Sequence, residues 1–110
     1  MDTFYPELIL QLPEADIPFE GVHGKIFQGA DHQIVFFEIE AIGEVAEHRH
    51  GTQWGIVLDG EMDLTIDGKT NTYKKGDQYF IPSGSLHSAV FKTRTYVMDF
   101  FEDKNRYLVK

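Results

Sequence analysis

At 110 residues the chain has room for one domain built around one core, and not for two. Its 42% apolar and 25% charged residues are the proportions of a globular protein. The formal charge of −8 leaves no basic footprint for nucleic acid. No apolar run approaches the roughly 18–20 residues needed to span a bilayer; Glu38 and Glu40 interrupt the longest candidate, IVFFEIEAIG. Acidic residues stand near the start, where a secretory leader would carry basic ones. The expectation is a cytoplasmic protein that binds neither nucleic acid nor membrane. The absence of cysteine excludes disulfides, a thiolate nucleophile and thiolate metal sites, and leaves oxygen and imidazole nitrogen as metal ligands.

Residues 1–20 carry prolines at 6, 13 and 18 and little periodicity. Leu8, Ile9, Leu10 and Leu12 suit a short strand or turn. The segment reads as an N-terminal arm or edge strand over the domain, or as an arm crossing to a second subunit; proline at its margins fits an edge. Gly21–Gln28 and Gln33–Glu40 follow as β-rich runs separated by the turn composition GADH. In the second run Val35 and Phe37 face one way, Ile34 and Phe36 the other, as in a strand covered on both sides. From Gln53 to Leu58, Gln53, Gly55 and Val57 share one face while Trp54, Ile56 and Leu58 share the opposite one. Asp59-Gly60 is a reversal signal. Met62, Leu64 and Ile66 then alternate with Glu61, Asp63 and Thr65, a strand with one wet face. Asp67-Gly68 turns into the exposed run KTNTYKKGD, Gly76-Asp77 into QYFIP, and Ser83-Gly84-Ser85 into LHSAVF and TYVMDFF. Met62 and Met98 read as core filler, and Tyr79, Phe80, Phe91, Tyr96 and Phe100 as core aromatics, with Phe80 and Phe91 able to line an apolar pocket. Short strands with turn signals every 8–12 residues indicate an all-β sandwich or barrel.

The chemistry concentrates between Gly43 and Gly60. His48 and His50 lie two residues apart, so in extended chain their imidazoles reach one face. Gln53 can approach the same point as the chain turns back, and His87 can close the set from a second strand. Neutral imidazoles with an oxygen ligand suit a divalent transition metal: Zn, Ni, Fe, Mn, Co or Cu. His23 and His32 have no partner spacing and stay outside the set. Glu44 and Glu47 read as solvated, and Trp54 as packing between sheets or subunits. No serine–histidine–acid arrangement and no glycine-rich phosphate loop is present.

These residues resemble the motifs of the cupin family. The family's first motif is a glycine, an HxH pair, an acidic ligand three or four residues later and a glycine seven beyond it. Gly43, His48, His50 and Gly60 match, with Gln53 in the place of the glutamate and one residue fewer between Gly43 and His48. The second motif, a glycine, five residues, PxG, two residues and histidine, is met by Gly76, Pro82, Gly84 and His87, with Phe91 where an asparagine is usual. The resemblance covers about Val35 to Asp99. It implies a single antiparallel jelly-roll β-barrel with His48, His50, Gln53 and His87 as metal ligands in its mouth.

Gln53 is the main departure, because it offers a neutral carbonyl oxygen where the family has a negative charge. A divalent ion there keeps its full charge, which favours an anionic or enolate-like substrate and weakens the case for iron-dependent oxygen chemistry. Two functions stay open on the sequence. One is a metal-binding small cupin with Lewis-acid or dioxygenase chemistry on a small oxygenated or anionic substrate. The alternative is a non-catalytic small-molecule binding or sensing module. The apolar face of Trp54, Ile56 and Leu58 calls for cover, which makes a homodimer the expected assembly.

Overall fold

Tight reversals set the strand ends. At Asp67-Gly68 both residues have positive φ, 48° and 83°, as a two-residue hairpin turn requires, and Asp67 Oδ1 accepts the Leu86 amide at 3.1 Å. The structure, a computed structural model describing residues 4–110, has nine strands: β1 Val22–Gln28, β2 Gln33–Ile39, β3 Gly43–His48, β4 Gln53–Asp59, β5 Glu61–Ile66, β6 Lys69–Lys74, β7 Gln78–Ile81, β8 His87–Phe91 and β9 Thr95–Phe101. They form two antiparallel sheets, one of order β1-β2-β9-β4-β7 and one of order β3-β8-β5-β6. This is the all-β barrel that the turn spacing predicts, in the jelly-roll form that the family resemblance implies.

Alternation along each strand fills the space between the sheets. Val35, Phe37 and Ile39 from β2, Val57 from β4, Met62 and Leu64 from β5, and Val97 and Phe101 from β9 are all buried in one cluster. Five inward positions are polar: Gln33, Gln53, His87, Thr95 and Asp99. Buried polar side chains are costly unless satisfied, so these mark where the core gives way to something other than packing.

Two sequence expectations need correction here. Phe80 and Phe100, expected in the core, are 56% and 38% exposed. They alternate with buried neighbours, Tyr79 and Ile81 on β7 and Asp99 and Phe101 on β9, so the two-residue period turns them outward. Met98 shares that outer side and is half-buried, whereas Met62, Tyr79, Phe91 and Tyr96 are buried as expected.

Of the N-terminal segment, residues 1–3 lie outside the described residues. Leu8 to Leu10 belong to one helical turn, α1 Glu7–Leu10, so of the strand or turn expected there the turn is what forms. Past Pro13 the chain runs beside β1, with bridges from Glu14 to Lys25 and from Ala15 to Val109, and the Ile26 amide donates to Pro13 O at 2.8 Å. Tyr5 is buried and its hydroxyl donates to Phe37 O at 2.6 Å.

Candidate metal centre

The two motifs meet through strand register. β3 pairs with β8 so that His48 lies opposite His87, after a bulge between Val45 and His48. An extra residue re-aims the side chains that follow it. His50 lies just beyond the strand in the loop that leads to β4. That loop is held from the second motif, since the Gly84 amide donates to His50 O at 2.9 Å. Gly84 has φ of 80°, a conformation glycine adopts without steric cost. The glycine of PxG therefore positions the HxH loop.

The ring centroids stand 4.2 Å apart for His48 and His87, 4.8 Å for His50 and His87, and 5.4 Å for His48 and His50. One nitrogen from each lies within 4.8 Å of the others. Each Nδ1 sits 2.9 Å from a backbone carbonyl: Ala46 O for His48, Gly51 O for His50 and Ser85 O for His87. A carbonyl only accepts, so the proton resides on Nδ1 and the lone pair is left on Nε2. Ring orientation by a backbone partner is the arrangement that prepares imidazole for a metal. The Nε2 atoms of His50 and His87 are buried and have no hydrogen-bond partner. Burial is the main cause that holds all three pKa values below the usual histidine value, with His50 at about 4; the Arg106 charge adds to the depression in each. At neutral pH the three rings are uncharged, as ligation needs. The donor set therefore fits a divalent transition metal.

Gln53 opens β4 and faces the same cavity, with Phe101 and Ile81 as its neighbours across the sheet. Its side chain adjoins the Asp99 carboxyl and acts to lower the Asp99 pKa, as an amide N–H turned toward that carboxyl does. The Tyr79 hydroxyl donates to the same carboxyl at 2.5 Å. Burial outweighs both effects and pushes Asp99 up to about 7. Tyr79 is raised well above the ordinary phenol value, chiefly by burial and then by Asp99, and stays protonated. Gly55 makes room for this pair: a Cβ there would collide with Asp99 Oδ1 and the Tyr79 ring.

Sequence reasoning missed Asp99 as a site residue. The signal was an acid between Val97 and Phe101 at an inward position of TYVMDFF, where a surface residue has no place. It also missed Arg106, whose aperiodic segment gave no sign of direction. Arg106 lines the cavity with its guanidinium carbon 4.4 Å from the Tyr107 ring centroid. The cavity holds about 80 Å³ of free space, walled by apolar side chains that include Phe37, Leu64 and Phe91 with the three histidines on one side. Phe91 lines this cavity as the sequence suggested; Phe80 lies outside, beside Trp54 and Phe100 on the outer face. His23 is engaged with Glu40 at 2.8 Å and His32 stacks on Phe100 at 4.7 Å. Glu44 and Glu47 are exposed.

With this geometry in hand the family is plain. Residues 35–101 match the Cupin domain model, and the chain belongs to the cupin family. A search of curated proteins finds no match. Among solved structures, the chain is similar to an RmlC-like cupin from Shewanella frigidimarina at 25% identity and a TM-score of 0.74, covering 88% of this chain and 86% of that one. It is similar to KdgF from Halomonas sp. at 20% identity and a TM-score of 0.70, covering 83% and 87%. Salicylate 1,2-dioxygenase from Pseudoaminobacter salicylatoxidans matches at 19% identity and a TM-score of 0.71, over 78% of this chain but 26% of the enzyme.

Proposed function

We propose that this cupin binds one divalent transition metal through His48, His50, Gln53 and His87 and acts on, or holds, a small oxygenated or anionic molecule. The observation that carries this reading is the set of three Nδ1–carbonyl bonds, which leaves Nε2 as the free atom of each ring. Gln53 joins the set because it faces the same cavity from β4, beside Asp99; with its amide N–H turned to that carboxyl, its carbonyl oxygen is left for the ion. When bound, the ion supplies Lewis-acid polarisation of a substrate oxygen at an open coordination position. The chain's part is to keep three uncharged rings oriented, to keep the Asp99 carboxyl hydrogen-bonded behind Gln53, and to exclude bulk water with an apolar wall. A neutral ligand set does not offset the ion's charge, which favours an anionic partner over a neutral one.

Dioxygenase chemistry is the redox version, and the salicylate 1,2-dioxygenase neighbour keeps it in view. The missing carboxylate at position 53 weighs against it, since a ferric state gains less from an amide than from a charged ligand. The second reading, a binding or sensing module without catalysis, is favoured by the Asp99 carboxyl, the one acid lining the cavity, being engaged by the Tyr79 hydroxyl. Cobalt substitution separates these readings. Weak visible absorption of a five- or six-coordinate ion, shifting when a small hydroxy acid is added, supports an open Lewis-acid site. Intense tetrahedral absorption unmoved by any ligand would rule it out.

A homodimer belongs to the same proposal. Phe27, Phe80 and Phe100 are exposed on the sheet that also carries Trp54, an apolar surface that a second copy would cover. Sedimentation of a monodisperse monomer would contradict it.

A further inference from the structure

Arg106 is a cation without an acceptor. Its Nε is buried and unpartnered, and among the described residues it makes no ion pair or hydrogen bond, only contacts over the rings of Tyr107 and Phe101. Guanidinium groups in proteins carry five donors and no acceptor, so leaving all of them without a protein oxygen is unusual at a partly buried position. The nearby carboxylate of Asp103 is engaged elsewhere: its Oδ2 accepts the Gly51 amide at 2.8 Å.

The fold fixes the backbone on both sides of this residue. Buried Gln33 bonds the Tyr107 backbone twice, donating from Nε2 to Tyr107 O at 2.7 Å and accepting the Tyr107 amide at Oε1 at 3.1 Å. Gln28 Nε2 donates to Lys104 O at 2.9 Å, and the Glu102 amide donates to Thr52 O at 2.9 Å in the loop that carries His50. Arg106 is therefore held beside the histidines. It lines the metal cavity and also, with His50 and Lys104, the open depression outside it. It stands where a ligand would pass from solvent to metal.

We propose that Arg106 is the recognition group for a small carboxylate with a short apolar body. The guanidinium takes the carboxylate as a two-pronged fork, and the body occupies the apolar wall beneath. The free space of about 80 Å³ corresponds to on the order of six water-sized volumes, so the ligand has few heavy atoms. This deepens the reading of the cavity as a metal site and rests on it for the ligand's location.

The test uses the full chain, zinc-loaded and zinc-free, with isobutyrate and the matching neutral isobutyramide as probes in calorimetric titrations. The wild type binds isobutyrate at least tenfold more tightly than isobutyramide. Arg106→Met, which keeps apolar cover over Tyr107, removes the Arg-dependent preference by tenfold or more while zinc content and melting temperature hold. Arg106→Lys keeps the charge but not the fork, and retains an intermediate preference. Equal binding of the two probes by the wild type, or an undiminished preference in Arg106→Met, overturns the proposal. If Arg106→Met does not fold, Arg106→Lys decides, and an undiminished preference there overturns it as well. Zinc bound with no Arg106 dependence removes this proposal and leaves the metal reading standing. An Arg106-dependent preference in a chain that binds no zinc does the reverse.

Discussion

Asp99→Asn isolates the cost of the buried carboxyl. Burial lifts its pKa from 3.8 to about 7, against the opposing effects of the Tyr79 hydroxyl and the Gln53 amide. Between these values Asp99 is protonated in the folded protein and ionised in the unfolded chain. The unfolded state then binds fewer protons, so stability falls as pH rises from about 4 to about 7 and levels off above. Three pKa units correspond to about 4 kcal/mol in full, of which about 2–3 kcal/mol develops between pH 5 and pH 8. Asparagine mimics the neutral acid in shape and does not titrate. Urea unfolding of both proteins across this range, in chelator so that no bound ion intervenes, gives the comparison. His48, His50 and His87 have depressed pKa values, so their effect runs the other way, with stability gained as pH rises to about 6.5 and constant above. It is common to both proteins and cancels in the difference. The advantage of Asp99→Asn over wild type should widen by about 2–3 kcal/mol from pH 5 to pH 8. Parallel stability curves would refute the reasoning.

Other substitutions probe the same region. Gly55→Ala drives a methyl group into Asp99 and Tyr79 and should cost about 1–3 kcal/mol as overpacking, read as a lower urea midpoint with unchanged slope. Gln53→Glu places a second carboxyl beside Asp99; it should destabilise the metal-free protein and strengthen zinc binding about tenfold or more, measured by competition with a chromophoric chelator. Equal zinc affinity in Gln53→Glu would show that position 53 does not reach the ion.

Much of the fold was legible because turns and alternation act locally. Asp67-Gly68 specifies its hairpin by backbone conformation alone, and Met62 and Leu64 declare their face by period. The histidines were legible for a different reason: HRH and the Pro82–Gly84–His87 run stand at the spacings of the two cupin motifs, and Gly84 proves to hold the His50 loop. Phe80 and Phe100 misled because hydrophobicity alone says core, whereas the period of β7 and β9 says outside. Asp99 was readable by that same period, as an acid between two inward apolar residues. Arg106 was not readable at all. Its direction depends on Gln33 and Gln28, 73 and 78 positions earlier in the chain, and such long-range hydrogen bonds leave no local pattern.

The most direct measurement is elemental analysis of metal-loaded wild type beside His50→Ala. His50 combines a Nδ1 bond to Gly51 O with a buried, unpartnered Nε2, so its removal takes away an oriented nitrogen of the proposed ligand set and leaves the sheets intact. Wild type should hold one divalent ion per chain, and His50→Ala should lose it while keeping its fold by circular dichroism. Full metal occupancy in the variant, or none in the wild type, would contradict the site described here.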